Sequence, residues 1–393
     1  MSKLLQSFRV IFWREIKWMN KNKEYWFLTL FGPLIGFTLI LGIFNRGVVR
    51  DLNITIVDND NTKTSRQLVK MIDATPIAKV KYRTPILSEA HDLMLRGKSD
   101  AIIDIKKGLE RSILSKSTDA KTVIYLNGAN VLKGSLLKSG ILQAVSTFNA
   151  GIQVQIAMKK GENFKQAVVK AQPIRGDAHA LFNPYTNYFY FLATVLMPLI
   201  LVLFTLIGSV YSLGNELRNG TAGKALKKAE NSIVVLTTGK LLPYTLLFTV
   251  HAIAFNYVIF RLMGFPLKGS FAVVVISEIL MILAYQSIAV LLVGVLGNLR
   301  LSVSLGSAYS ILALTFSGLT FPLLSMPILA QMFSGIFPLT YWLRIFLGET
   351  LRNDPIRTVM PQMLYFFVFI TVGIVSMFWL RLRYSTPKHW KKL

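Results

Sequence analysis

The stretch WFLTLFGPLIGFTLILGIF, residues 26–44, contains no charged side chain. A helix of about 20 apolar residues spans the hydrocarbon core of a bilayer, so we predict a transmembrane helix over residues 25–44. Five more apolar runs follow at Phe189–Leu213, Leu241–Phe260, Phe271–Leu296, Leu301–Leu324 and Met363–Leu380. Since 53% of the residues are hydrophobic and only 16% are charged, the sequence predicts an α-helical polytopic membrane protein with six transmembrane helices, five of them within residues 188–384.

The basic residues behind the net charge of +25 lie mainly beside the apolar runs and in one polar region. Three basic segments, residues 1–24, 212–240 and 385–393, fall on one side of the membrane if six helices alternate in direction. Short segments rich in Lys and Arg stay in the cytoplasm, so we expect both termini to be cytoplasmic. Because the charge forms neither a single stripe nor a single tail, nucleic-acid binding is not expected.

Residues 45–187 separate the first two helices and have the pattern of a folded domain. The β-like runs are Ile54–Val57, Lys79–Tyr82, Ala101–Asp104 and Thr122–Tyr125. The helix-like runs are Thr64–Ile72, Leu87–Leu95, Lys107–Ser115 and the long tract Gly134–Lys160. This alternation predicts a mixed α/β extracytoplasmic domain between helices 1 and 2. Its basic excess conflicts mildly with that side of the membrane, although long translocated domains largely escape the charge rule.

Two shorter apolar features complete the membrane part. Residues 1–24 place apolar side chains at helical spacing opposite basic ones, which predicts a cytoplasmic amphipathic helix that rests on lipid or also docks a partner. Within residues 325–361, the pieces Ile328–Phe337 and Leu339–Leu347 are separated by Pro338. Each piece is too short to cross a membrane, so we expect re-entrant or surface helices there.

Several kinds of active site are missing from the sequence. There are no cysteines, which excludes disulfides and thiol chemistry. Two Gly-Lys pairs, Gly223-Lys224 and Gly239-Lys240, lack both the following Ser or Thr and the upstream glycine of a phosphate-binding loop. The histidines are isolated from one another: His91, His179, His251 and His389. We therefore expect no catalytic residue and no metal site, and any ATP would be hydrolysed by another subunit.

A few residues inside the apolar runs are candidates for a transport path. His251 and Glu278 are ionisable groups at membrane depth, where burial is costly and function is the usual reason for it. Glu278 has the alternative of snorkelling or pairing with a backbone donor. Phe316, Phe321 and Phe333 lie where an aromatic constriction would fit, and the alternative for them is ordinary packing.

The turn after the second apolar run, LGNELRNGT at residues 213–221, concentrates the most informative polar residues. Gly220 permits a turn, and Thr221 can cap the helix that follows. Glu216 and Arg218 offer paired charges at a wet interface. The alternative interpretation is an ordinary charged loop.

This turn, with Thr238-Gly239-Lys240 after it, resembles the corresponding segment in permeases of the type-2 ABC exporter class. Other short motifs that resemble the class lie in the same order along the chain. They are Asn183-Pro184-Tyr185, the stretch Phe316–Pro322 with Met326-Pro327, and Phe337–Tyr341. Relatives are often more acidic where Asn219 and Ala225–Lys228 stand.

The resemblance implies a half-transporter in which two permeases, identical or paralogous, pair with two separate ATP-binding cassette ATPase subunits. The turn would form a coupling helix on the ATPase, with Glu216, Arg218, Gly220 and Thr221 at the contact. A large outer domain is similar to that of exporters of drugs or lipophilic compounds that often use a periplasmic adaptor. The resemblance further implies a bacterial inner membrane location, contact with membrane lipid, and ATP bound by the partner subunit with no cofactor on this chain.

Two other function classes compete with an exporter. One is a membrane-anchored sensor or scaffold with an extracytoplasmic ligand-binding domain, which needs less membrane than six spans and usually a larger cytoplasmic output domain. The other is an ion-coupled carrier, which normally has more intramembrane charges and inverted repeats.

Overall fold

The computed structural model of the chain describes residues 3–44, 47–115, 121–172, 181, 183 and 187–391. They fall into two compact units, a membrane unit (Met1–Gly47 with Phe182–Leu393) and an inserted domain (Val48–Leu181). The Asn183-Pro184-Tyr185 motif lies outside the described residues except for Asn183, and so do His179 and the last two residues of the basic tail.

Within the described residues of the membrane unit, six helices are long and apolar enough to cross a membrane. We number them as spans 1 to 6: Lys23–Phe44, Phe189–Arg218, Ile233–Leu262, Phe271–Leu296, Leu299–Phe316 and Ile356–Ser385. The prediction of a polytopic helical membrane protein is confirmed. Spans 2, 3 and 4 are the most buried, while spans 1, 5 and 6 expose most of their surface within this single chain.

The predicted ends of spans 5 and 6 were wrong. Span 5 ends at Phe316, because Gly318 adopts a left-handed backbone conformation (φ 89°) that the helix cannot continue through, so Phe321 lies beyond it. Span 6 begins at Ile356 and contains Pro361 in its first turns, so the predicted re-entrant segment ends earlier than residue 361. Pro361 removes one backbone hydrogen bond near the start of this 30-residue helix, and the helix continues through it.

Two short helices, Ile328–Ser334 and Pro338–Leu347, lie between spans 5 and 6, at the positions of the two predicted short pieces. Pro338 opens the second helix at its first position, where a missing N–H costs nothing. The second helix is almost entirely buried, with Trp342 and Phe346 fully enclosed.

The N-terminal helix, Lys3–Lys21, packs against span 3. Its buried positions are Ser7, Ile11 and Glu15, which are four residues apart and therefore share one face. Leu4 and Leu5, assigned by the sequence to the apolar face, are each about half exposed (50% and 51%). The side that packs on protein thus carries an acidic residue.

The described residues of the inserted domain form a four-stranded sheet and five helices. The strands are β1 (Leu52–Asp58), β2 (Ala78–Arg83), β3 (Ala101–Ile105) and β4 (Thr122–Leu126). The helices are α1 (Lys63–Asp73), α2 (Leu87–Leu95), α3 (Leu109–Leu114), α4 (Val131–Lys159) and α5 (Phe164–Ala171). Each strand contains one of the four β-like runs of the sequence.

The strand order is β2-β1-β3-β4, with β1 parallel to both neighbours and β4 antiparallel to β3. Parallel neighbours need a crossover, and α1 and α2 supply the two crossovers. Ile54, Ile56 and Ile103 point to a core under α1 and α4, while Val57 and Ile102 face α2 on the other side. Burial on both faces explains why β3 is apolar along most of its length.

Candidate coupling site

Lys240, two turns into span 3, is the centre of a buried ion cluster in the membrane unit. Its ammonium Nζ lies 2.5 Å from Glu15 Oε2 of the N-terminal helix and 3.1 Å from Glu216 Oε1 of span 2. The Glu15 carboxylate also accepts hydrogen bonds from Ser212 Oγ (2.6 Å) and Tyr244 OH (3.0 Å). All five side chains are buried or nearly so. The cluster therefore joins three helices away from water.

Glu216 links this cluster to the turn that the sequence analysis singled out. Its Oε1 lies 2.5 Å from Arg14 Nη2, and its Oε2 accepts a short hydrogen bond from the Thr221 hydroxyl. Glu216 is only 6% exposed, so it does not offer its charge to a wet interface as expected. Thr221 occupies the cap position of the next helix, but its hydroxyl is bound to Glu216 and not to that helix.

Two carboxylates and two cations make the cluster electrically balanced. Buried charges are tolerated when each one is paired and its remaining hydrogen-bonding atoms are satisfied. Here Glu15 has three partners and Glu216 has three, while Arg14 keeps one buried nitrogen, Nη1, without a partner. Loss of one member would leave an opposite charge uncompensated, so the four residues constrain one another's helices.

The helix approach that brings Glu15 to Lys240 depends on Gly239. A Cβ at this position would lie 3.0 Å from Ile11 Cγ2 and 3.4 Å from the Phe8 carbonyl oxygen. Ile11 is 1% exposed, so it has little free space to move into. The Gly239-Lys240 pair thus combines close backbone contact with the charge that the N-terminal helix requires.

The turn after span 2 exposes one face and buries the other. Gly220 has φ 69°, the left-handed conformation expected for a turn glycine. It is followed by a short helix, Ala222–Lys228, which we call the turn helix. Ala222 and Leu226 of the turn helix are buried, and the exposed side chains around it include four cations, Arg218, Lys224, Lys227 and Lys228, with Asn219 and one acid, Glu230. The turn therefore presents a basic surface anchored from beneath by Glu216.

A match to a known protein family covers the turn and the spans around it. The chain matches the family described as ABC-2 family transporter protein over residues 23–379. This range includes spans 1 to 5 and all of span 6 except its C-terminal end. The chain belongs to the ABC-2 transporter family. No curated protein matches the chain. An ABC-2 permease is the membrane subunit of an ABC transporter and not its ATPase, so an ATP-binding cassette subunit is its partner.

The two ionisable candidates inside the spans of this ABC-2 permease are held by protein groups. Glu278 is 1% exposed, and its Oε2 accepts a hydrogen bond of 2.7 Å from Asn256 Nδ2. The oxygen of the same amide, Asn256 Oδ1, is buried and has no hydrogen-bond partner among the described residues. His251 is 5% exposed, and its Nδ1 lies 2.8 Å from the Leu247 carbonyl.

The aromatic candidates are brought together only in part. The rings of Phe316 and Phe333 meet edge to face at 4.9 Å, and both contact Phe337 (6.0 and 5.3 Å), which is fully buried. Phe321 is 51% exposed and makes no ring contact with them among the described residues. The constriction expected from the sequence thus reduces to a packed group that joins span 5 to the short helices after it.

Three cluster residues were not among the predicted site residues: Arg14, Glu15 and Lys240, the last of which was noted only as part of the Thr238-Gly239-Lys240 motif. Glu15 carried a signal, since it lies four residues after Ile11 and eight after Ser7 on one helical face. Lys240 directly precedes the predicted apolar run that begins at Leu241, so it was interpreted as a basic flank of that run. In the structure, Lys240 is buried inside the helix that begins at Ile233, four residues before Tyr244. No local pattern pairs these residues, because the partners come from segments about 200 positions apart.

Proposed function

We propose that this ABC-2 permease is the membrane subunit of an exporter that moves drug-like, lipid or other amphipathic substrates outward, using ATP hydrolysed by a separate subunit. The observation that carries the proposal is the position of Glu216. It bonds to the turn through Thr221, to the N-terminal helix through Arg14 and to span 3 through Lys240. A force on the turn would therefore act on two spans and the N-terminal helix together.

The ATPase is proposed to seat on the basic surface formed by the turn helix and the N-terminal helix. A groove of about 1100 Å³ lies between them and contains the cations Arg9, Lys17, Lys21 and Lys228 beside Trp13 and Trp18. No acidic residue lines this groove. Such a surface fits an acidic face of the ATPase, and complementary charge favours fast and specific docking.

A second permease is proposed to cover part of the surface that spans 1 and 5 leave open. Large apolar side chains are exposed on both, for example Leu39 and Ile43 on span 1 and Ile311 on span 5. We propose that the substrate path lies between two such chains, either identical or paralogous. The proposed aromatic boundary of that path consists of Phe316 at the end of span 5, Phe333 in the short helix Ile328–Ser334, and Phe321 between them. His251 and Glu278 are the proposed polar contributors.

The proposed topology has both termini and the turn in the cytoplasm and the inserted domain outside a bacterial inner membrane, where a periplasmic adaptor would meet it. The absence of cysteine makes a direct test simple. In intact cells, a membrane-impermeant maleimide should label Lys98→Cys in the inserted domain. It should label Lys224→Cys in the turn helix only after the membrane is opened. The reverse pattern would contradict the orientation.

Transport itself is tested in inverted membrane vesicles that contain the chain and its ATP-binding partner. We expect ATP-dependent uptake of a lipophilic dye such as rhodamine 6G, and no uptake with a partner whose ATPase activity has been abolished by substitution. Dye uptake only into right-side-out vesicles would indicate import. Dye binding without ATP-driven accumulation of any amphiphile would favour a sensor or scaffold.

A further inference from the structure

The inserted domain contains a cleft whose wall is basic and whose floor is apolar. Its volume is about 640 Å³, within the range of small-molecule sites. It lies among α1, α3 and α4, all within the one compact domain. This cleft plays no part in the ion cluster or in the proposed coupling.

The basic wall comes mainly from one face of α1. Lys63, Arg66 and Lys70 are three or four residues apart, so their side chains leave the helix on the same side. Lys159 at the end of α4 adds a fourth cation. Among the described residues, Lys63, Lys70 and Lys159 have no acidic partner, and Arg66 donates only to the Asn61 carbonyl (2.8 Å).

One acidic residue lines the cleft, and it is already engaged. Glu110 of α3 accepts a hydrogen bond of 2.8 Å from Thr64 Oγ1. Four cations against one carboxylate give the cleft a positive potential that attracts anions. The charge of the cleft therefore selects a negatively charged headgroup.

The floor is built for hydrocarbon. Phe148, Ile152 and Ile156 of α4 are four residues apart, and Ile113 of α3 lies among them. The three isoleucines are only partly buried by protein. They also line a second cavity of about 470 Å³ that continues toward α5. The cations that line this second cavity are Lys160 and Lys170, and Lys170 pairs with Glu162 at 2.7 Å, so the larger excess of cations lies at the α1 end of the combined cleft.

We infer that this cleft binds an amphipathic anion, with the headgroup at Lys63, Lys70 and Lys159 and an acyl chain along the isoleucine floor. The chemistry fits a carboxylate or a phosphate on a long alkyl chain. Such a ligand has two sources, a free fatty acid or an anionic phospholipid. The inference goes beyond the proposed function, because binding here requires neither ATP nor the ATPase.

The test uses the full chain in nanodiscs of neutral phosphatidylcholine. A palmitic acid analogue with a diazirine near the chain end is added, irradiated, and the labelled peptides are identified by mass spectrometry. We expect labelling of the α4 peptide that contains Phe148 and Ile156. Labelling of the spans by the same probe serves as an internal control. A diazirine-bearing phosphatidylglycerol built into the disc distinguishes a lipid source from free acid.

The triple variant Lys63→Gln, Lys70→Gln, Lys159→Gln should reduce α4 labelling at least fivefold and leave span labelling unchanged. The matched control Lys79→Gln, Lys98→Gln, Lys138→Gln removes the same charge from exposed positions of the domain outside the cleft, and it should have little effect. Equal losses in both triples would overturn the site, since general attraction would explain them. Equal labelling by the acid and by its methyl ester would also overturn it, because the headgroup would then have no role.

Discussion

Lys240 Nζ lies 2.5 Å from Glu15 Oε2, although the two residues are 225 positions apart in the sequence. This ion pair holds the N-terminal helix against span 3. Lys240 also pairs with Glu216, so the turn after span 2 is held at the same position. A helix that looks like a simple membrane-surface element is therefore part of the machinery next to the turn. The first three predictions follow from this arrangement.

Replacing Lys240 by Met should destabilise the chain by about 3–5 kcal/mol, because Glu15 would be left as a buried charge without a cation. The double variant Glu15→Gln, Lys240→Met keeps the Arg14–Glu216 pair and restores the charge balance. It should be more stable than the sum of the single effects predicts, by about 1–3 kcal/mol. Reversible unfolding in detergent measures both, with exposed Lys388→Met as the control. Strictly additive effects would show that the pair is not coupled.

Glu216→Gln should reduce ATP-driven transport by roughly tenfold, about 1.4 kcal/mol in barrier, while the ATPase still copurifies. Its carboxylate is buried and acts by holding the turn in place. Arg218→Gln is the comparison at the same turn, since Arg218 is exposed. That change should weaken copurification of the ATPase and leave transport per assembled complex nearly intact. Full transport by an assembled Glu216→Gln complex would remove the coupling role.

Gly239→Val should loosen the N-terminal helix, because even a Cβ there would lie 3.0 Å from Ile11. Overpacking of this kind costs about 1–3 kcal/mol. Faster hydrogen exchange of the N-terminal helix amides would report it, and adding Ile11→Ala should recover part of the protection. Gly42→Val is the control, since a Cβ at Gly42 meets nothing within 4 Å. Unchanged exchange in Gly239→Val would mean that the two helices do not depend on this close approach.

Asn256→Leu should destabilise spans 3 and 4 by about 1–3 kcal/mol, because Glu278 would lose its hydrogen-bond donor in a buried site. Glu278→Gln should be tolerated, since a neutral amide still accepts from Asn256 and can also donate to the unpartnered Asn256 Oδ1. Unfolding midpoints of the two variants, measured side by side, test the order of these effects. Transport that survives Glu278→Gln in full would exclude Glu278 from the substrate path.

Asp60→Asn should destabilise the inserted domain above pH 4 and remove part of its acid sensitivity. Burial opposes ionisation of Asp60, but hydrogen bonds from Thr62 and from the amides of Glu110 and Gly108 hold its pKa below the usual value. A lowered pKa gives stability that is complete above the unfolded value of about 3.9 and is lost as the pH falls through the folded value.

Pulse proteolysis of the full chain with pepsin, between about pH 2 and 5, measures this change in stability. Carboxylates of the unfolded chain titrate in that pH range. Asp92→Asn serves as the control, because its ion pair with Arg96 has both partners more than half exposed and such pairs contribute little. If the stability of Asp60→Asn and that of the unmodified chain changed with pH in the same way, the stabilising role of the Asp60 carboxylate would be contradicted.

The sequence by itself determined the elements. Apolar length set the six spans, since a bilayer-crossing helix needs about 20 apolar residues regardless of its neighbours. Short runs that contain β-branched residues located the four strands of the inserted domain, because such side chains pack well on a sheet. Gly220 marked the turn, since its backbone conformation is a local property.

Only the tertiary structure decided which side chains of these elements contact one another. Glu216 looked like a surface residue beside Arg218, yet its partners are Arg14 and Lys240 from distant segments. A charge becomes buried when helices far apart in sequence enclose it, and no local periodicity records that event. Phe321 does not join the contact between Phe316 and Phe333, and this too could not be predicted locally. The end of span 5 depends on how the chain turns after Phe316. The ion cluster is therefore a property of packing, while the spans are a property of composition.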